Sequence, residues 1–499
     1  MRLWLKFVIA VMVVIAVLAV RGRVVRPPEP PRPGEFQLEY PGPRETTAES
    51  YDSFISSFDP VIYGIIRDPI GAEVRLSRYW PTIQKSAEKC GVDPYTLWAV
   101  LYIEGQGETD GVSGASCAGI AQFYPPTAKA FGLKVSGKWL SYYRAYRDEK
   151  KPAMKSKKWA KLQKFDERFD PRKAIPAAAR YLGYLGKKYD REDYAIAAYH
   201  MGEPNLDAVI RHYCSGWDAP EHISWQEVVL EASPDRHPET YKFLHDRLED
   251  ESWSYYFRVM CAKKAALLWK RDRNTFKVKV AFYDEMARKG RRPRLAHEFF
   301  WYEGKMSQVP PLTKLEAGLT NIVVDPGVRH PETTPAMAGF LYYLATQIED
   351  RGGGSIRITS AYRTHAEQAE LVKQGRSPSL FTSHRYASGV DVGLVSGKKT
   401  QDLLEWMLMV LRAKGDCEWY RERSHYHITL NPEAEYFKNI LDRIAEYIKK
   451  VEVHRKWESI RPVTLAQGFW GRLFSWPWLL VLAIGIYLSS QLEHQRRRR

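Results

Sequence analysis

Cysteine is scarce in this chain: five in 499 residues, at Cys90, Cys117, Cys214, Cys261 and Cys417. They form no CxxC pair and no regular spacing, which excludes a disulfide framework and a cysteine zinc site. One disulfide stays open, with no pair singled out. No internal repeat with a period of about 20–50 residues is present, so solenoids and propellers are excluded. Helix-turn-helix, zinc-finger and RNA-binding signatures are also missing, so the net charge of +16 does not mark a nucleic-acid binder. Core-forming residues are not scarce. With 44% hydrophobic and 13% aromatic residues, the bulk is globular, and the length suits two or three domains.

The positive charge gathers in two places. One is KWLSYYRAYRDEKKPAMKSKKWAKLQK, and the other is the terminal RRRR. The first reads either as a solvated helix surface or as a patch attracted to anionic polymers. The second suits the inner face of a membrane with anionic lipid.

Both ends are apolar. Leu3 to Val20 is interrupted only by Lys6, and RGRVVRPPEPPRPGE follows. No small-x-small cleavage pattern is evident, so the segment is expected to be an uncleaved membrane span rather than a signal peptide. FWGRLFSWPWLLVLAIGIYLSS has aromatics at its start and arginines after it, the expected layout of a second span. Pro477 lies where a span tolerates it, and Arg472 would sit at the outer interface. Two spans place both termini in the cytoplasm and the middle outside. Arg21, Arg23 and Arg26 then lie on the translocated side, against the positive-inside rule, although long domains translocate largely regardless of charge.

Glu104 closes the run LWAVLYIE, in which Leu97, Val100, Leu101 and Glu104 follow the spacing of one helix face. Gly105 and Gly107 supply stop signals. A carboxyl at the edge of an apolar stripe and at the negative end of a helix dipole is expected to have a raised pKa. That is what a sugar-cleaving general acid requires. Downstream come Gly119 to Gln122, then Pro125 to Ala128, then Ala198 to Gly202 in AYHMG. Together with Glu104 this order resembles the catalytic domain of soluble lytic transglycosylases and goose-type lysozymes over about residues 84–206.

The resemblance implies a mostly α, lysozyme-like domain that needs no cofactor and acts on peptidoglycan glycan strands. Glu104 would be the single acid/base, while Gln122 and Tyr199 would hold substrate, Tyr199 near the N-acetyl group. It also implies cleavage between N-acetylmuramic acid and N-acetylglucosamine, forming 1,6-anhydro ends. Hydrolysis by water, as in the lysozymes, uses the same glutamate. Glu108 and Asp110 read as loop residues. His200 stands where the family usually has asparagine, and the stretch from Lys134 to Lys173 is longer than usual.

A second constellation reads SAYRTHAEQAEL, TSHRYASGVDVG and SHYHITL. His384, Asp391 and His427 offer two imidazoles and a carboxylate, the composition of a catalytic zinc site with one open position. About residues 334–432 resemble the zinc peptidases that include D-alanyl-D-alanine carboxypeptidases and lysostaphin-like enzymes. That resemblance implies that these three residues bind zinc and that stem peptides are the substrate. It also implies that Arg363 stabilises the oxyanion. Where the carboxypeptidase branch has its glutamate base, this chain has Ser424. The lysostaphin-like branch instead has His-x-His, so the resemblance implies that His425 would do acid/base or oxyanion work, with Glu422 in reserve.

The expected organisation is multidomain. A span at 1–22 and a Pro-rich spacer at 23–74 lead to a lysozyme-like domain at 75–214 with a helical extension at 215–325. An α+β zinc peptidase-like domain follows at 326–450, then a linker at 451–468, a span at 469–489 and a basic cytoplasmic tail at 490–499. Two alternatives stand beside a bifunctional wall enzyme. In one the distal domain only binds wall peptide; in the other both domains form a non-catalytic wall-binding scaffold.

Overall fold

The computed structural model describes residues 38–42, 48–113, 115–136, 164–214, 223–248, 252–288, 311–315, 321–377, 382–394, 397–446 and 449. No helix among them is long and apolar enough to cross a membrane. The two segments read as spans, and most of the lysine-rich stretch, lie outside the described residues.

The first region is helical. Its helices are α1 (Pro69–Ser77), α2 (Trp80–Cys90), α3 (Pro94–Gly105), α4 (Pro125–Ala130), α5 (Pro171–Tyr189), α6 (Glu192–Met201) and α7 (Glu203–Tyr213). After them come α8 (Trp225–Glu231), α9 (Ser252–Arg271) and α10 (Arg273–Arg288). Asp93 starts α3 by accepting a bond from the Thr96 amide, and Pro94 is preset for the first helical turn. Gln106, in a left-handed conformation, ends it rather than a glycine.

The apolar stripe expected along α3 is only part of what is buried. Leu97, Trp98, Ala99, Val100, Leu101 and Tyr102 are all inaccessible to solvent, so the helix is enclosed on every side. Helix α9 is one of the elements that enclose it, and it also packs on α6. Phe257 of α9 is fixed in turn by Phe54 and Phe58, with ring centroids at 4.9 and 6.0 Å.

The second region is mixed α/β. Helices α11 (Pro335–Asp350), α12 (His365–Lys373) and α13 (Lys398–Ala413) accompany the five strands of one sheet; Thr313–Lys314 and Glu332–Thr333 pair separately. The five are β1 (Ile322–Val324), β2 (Ile356–Ser360), β3 (Gly389–Gly393), β4 (Cys417–Arg421) and β5 (His425–Leu430). Their order in the sheet is β1-β2-β3-β5-β4, with β1 parallel to β2 and every other pair antiparallel. Val390, Val392, Tyr426 and Ile428 are fully buried on one face. The alternate residues Asp391, His425 and His427 are therefore free to share the other face.

The two regions touch through defined bonds. Trp406 Nε1 donates to the Leu230 carbonyl at 2.9 Å, and Arg351 lies 3.3 Å from Asp235. All five cysteines are free thiols, so the disulfide left open by the sequence is not formed.

Candidate functional site

Glu104 lies in the last turn of α3, and its side chain keeps 15% of its exposure. Its Oε1 accepts a 2.6 Å hydrogen bond from the Tyr255 hydroxyl of α9. Burial, and then the charge of Glu104, hold the Tyr255 phenol well above its ordinary pKa, so it remains the donor. His200 stacks on Tyr255, with ring centroids 4.4 Å apart and planes 10° from parallel. Its Nδ1 lies 3.8 Å from the same Oε1. No described residue bonds the other carboxyl oxygen, Oε2. Glu108 follows closely in sequence but is turned to Arg75 at 3.5 Å.

The loop facing Glu104 is held from behind. Arg168 and Asp166 form a buried ion pair at 2.9 Å. The guanidinium also donates to the carbonyls of Ser116 at 2.8 Å and Phe123 at 3.0 Å. Gly119 has φ +77°, and a Cβ there would come within 1.9 Å of the Arg168 carbonyl oxygen. Only glycine fits that approach. Gln122 has φ +43°, a left-handed conformation uncommon outside glycine. Its Nε2 donates to Gly119 O at 2.8 Å and Gly111 O at 3.3 Å, and neither bond engages Oε1. The Tyr199 hydroxyl donates to Ala121 O at 3.0 Å. Thus Gln122 and Tyr199 shape the loop beside Glu104 as well as lining it.

Tyr255 and Arg168 were not anticipated from the sequence. The first lies in a helix with no motif of its own, and the second in a stretch read as an insertion.

The distal site is built on the sheet. Asp391 of β3 and His427 of β5 are direct register partners, as are Gly393 and His425. His384 comes from a short 3-10 turn, Ser383–Tyr386, laid against β3. A Cβ at Gly389 would lie 1.9 Å from Ser383 Oγ, so glycine is required for that approach. His384, Asp391 and His427 are all buried, and each offers a ligand atom within 4.8 Å of the other two.

The donor chemistry of this group fits a cation. His384 Nδ1 lies 2.7 Å from the Ala361 carbonyl, so that nitrogen carries the proton and Nε2 presents a lone pair. That lone pair faces Asp391 Oδ1 at 3.1 Å. His427 Nδ1 lies 2.8 Å from the same oxygen, while its Nε2 is held at 3.3 Å by each of Ser383 and Thr429. Burial works against an ionised Asp391, but a proton or other positive charge held by the facing imidazoles of His384 and His427 outweighs it. The carboxyl is held well below its ordinary range. Burial and then the Arg363 guanidinium lower the pKa of His384, favouring the neutral ligand form.

Arg363 donates to Asp391 Oδ2 at 2.9 Å and to Ser360 Oγ at 2.6 and 3.0 Å. It is bonded to Asp391, a contact not expected from its assumed place over an oxyanion. His425 Nε2 lies 3.6 Å from Asp391 Oδ1 and 4.0 Å from Glu422 Oε2, while its Nδ1 is 3.0 Å from Ser424 Oγ. Glu422 therefore lies next to His425 and outside the buried group of His384, Asp391 and His427.

Residues 81–215 match the family model described as the Transglycosylase SLT domain. Among solved structures, the chain is similar to an inactive mutant of the lytic transglycosylase Slt from Pseudomonas aeruginosa, with 18% identity and a TM-score of 0.24. That likeness covers 37% of this chain and 23% of the other. The first region thus contains a helical transglycosylase SLT domain, and a mixed α/β region follows it.

Proposed function

We propose that this chain is a peptidoglycan-cleaving enzyme whose first centre cuts the bond between N-acetylmuramic acid and N-acetylglucosamine. The observation that carries this reading is Glu104: it ends its helix inside the SLT match and presents one oxygen without a partner among the described residues. Its carboxyl donates a proton to the glycosidic oxygen as the bond to the anomeric carbon breaks. The resulting carboxylate then takes the proton of the sugar's own 6-hydroxyl as that oxygen bonds to the anomeric carbon. Glu104 ends protonated again, and the product carries a 1,6-anhydro ring. A retaining two-carboxylate route would need a second carboxyl about 5–5.5 Å away, and Glu108 is engaged by Arg75 instead. Gln122 Oε1 and the Tyr199 ring are the groups beside Glu104 that would hold the sugar.

The test is mass spectrometry of soluble products from purified peptidoglycan. Anhydro-muropeptides are expected from wild type and none from Glu104→Gln. Reducing ends in place of anhydro ends would change the reading to hydrolysis, and undiminished release by Glu104→Gln would overturn it.

A second centre is favoured by the buried donor set of His384, Asp391 and His427. These three would hold zinc, which when bound polarises a peptide carbonyl and makes water acidic. Arg363 holds the outer oxygen of Asp391, and Ser383 and Thr429 fix the ring of His427. His425, at the more open rim, would move the proton during cleavage of a stem peptide. Zinc analysis of the purified chain, with and without added metal, tests this centre. Absence of bound zinc after loading would reduce the region to wall-peptide binding.

The apolar segments at 1–22 and 469–489 support a chain held in the cytoplasmic membrane, with both termini inside and both centres facing the wall. Reporter fusions before Met1, near Arg75 and after Arg499 test that topology. The lysine-rich stretch would favour anionic wall polymers. Loss of wall binding in high salt checks that partner.

A further inference from the structure

We infer that Tyr255 is a positioning residue for Glu104, with His200 as the platform that fixes its ring. The inference rests on the reading of Glu104 as the acid/base. Tyr255 lies beyond residue 215, so this part of the centre is supplied by a helix outside the matched domain.

Three observations carry it. First, the Tyr255 side chain is 1% exposed, and a buried hydroxyl needs a partner. Its partner is Glu104 Oε1, at 2.6 Å, at the short end of the ordinary O–H···O range. Second, His200 covers one face of the same ring at 4.4 Å in a near-parallel stack. Its Nδ1, at 3.8 Å from Oε1, is too far for a hydrogen bond and leaves that oxygen to the phenol. Third, α9 cannot easily withdraw the hydroxyl. It packs along α3, and Phe257, two residues on, is locked by two aromatic rings.

The consequence is a carboxyl with two fixed ends. Oε1 is turned to the protein, so Oε2 is the atom that exchanges the proton with the sugar. A glutamate at the frayed end of a helix would otherwise rotate about its side-chain torsions and spend little time aligned. Pre-alignment of a reacting group acts on the bound complex, so it appears in kcat.

The bland alternative is a core tyrosine that merely borrows the nearest acceptor. The two differ in what Tyr255→Phe does, since phenylalanine keeps the ring and its packing. In the full chain, acting on purified glycan strands, Tyr255→Phe is expected to lower kcat about 10- to 100-fold. KM and the melting temperature are expected to stay close to wild type. His200→Ala is expected to reproduce part of that loss. The double variant should be no slower than Tyr255→Phe, because the imidazole acts through the phenol.

Wild-type kcat in Tyr255→Phe, or a loss confined to KM, would overturn the inference. Full additivity of the His200 and Tyr255 losses would remove His200 from it. Glu104→Gln in the same assay separates the two levels: if that variant is inactive while Tyr255→Phe keeps wild-type kcat, only the positioning role fails. An active Glu104→Gln would instead remove the reading of Glu104 itself.

Discussion

Asp391 and His427 meet because they are register partners on adjacent strands, whereas Glu104 meets Tyr255 across a separation of 151 residues. In the distal region the backbone ladder sets the geometry. Two-residue periodicity puts His425, His427 and Thr429 on one face, and a turn allowed by Gly389 brings His384 over them. In the helical region no ladder does this. Glu104 is placed by the burial of α3 on all sides, and the loop opposite by the buried Arg168–Asp166 pair. A site built on strands can be read from spacing; one built on packed helices depends on partners that spacing does not reveal.

The comparison is broken most directly by a crossed pair of substitutions. Glu104→Gln should lower glycan cleavage by about 10²-fold or more while leaving metal content unchanged. Asp391→Asn should do the reverse, removing bound zinc while sparing glycan cleavage. The measurements are product release and metal content on the same preparations. If either change abolished both properties, the two centres would not be independent.

A smaller but still large effect is expected at the support of the first site. Arg168→Met removes one partner of a buried ion pair and leaves Asp166 uncompensated, at a cost of about 3–5 kcal/mol. It also frees the carbonyls of Ser116 and Phe123. Both melting temperature and glycan cleavage should fall. An unchanged melting temperature would show that the loop does not depend on the pair.

At the second site, Arg363→Ala separates two roles. An arginine acting only on an oxyanion would leave metal affinity alone. Because it donates to Asp391 Oδ2, its loss should weaken zinc binding about 10- to 100-fold. His425→Ala, by contrast, should keep the metal and impair peptide cleavage. Equal zinc affinity in Arg363→Ala and wild type would return the arginine to the oxyanion role.

These contrasts also explain what the sequence revealed. The helices Pro335–Asp350 and Lys398–Ala413, and the strands through IRITS, GVDVG and HYHITL, can be read from the sequence because apolar patterning and His-x-His spacing survive in one dimension. Strand Cys417–Arg421 cannot, since CEWYR mixes charge into an edge strand, and Ile322–Val324 is only three residues long. Glu104 could be found from its motif. Tyr255 could not, because it sits in a helix whose aromatic residues look like ordinary core until α9 is packed on α3. Arg168 was hidden among the lysines around it, where only burial separates a staple from a solvated surface.

The last contrast sharpens the comparison through pH. Glu73 of α1 is fully buried; Trp98 Nε1 donates to its Oε2 at 2.9 Å, and Oε1 has no partner among the described residues. Burial raises its pKa from 4.5 to about 8, against the opposing Trp98 bond. The folded chain therefore binds this proton more tightly than the unfolded chain. Stability from this group is fully present below about pH 4.5 and is lost as pH rises through about 8, by on the order of 5 kcal/mol in all. Glu73→Gln stays neutral at every pH, so it should flatten that decline. Relative to wild type it should gain stability between about pH 5 and pH 8. Thermal denaturation of the helical region at both pH values measures the difference. Asp391→Asn, in the other region, should leave this slope untouched. A wild-type slope in Glu73→Gln would mean that the decline arises elsewhere and that Glu73 is charged when folded.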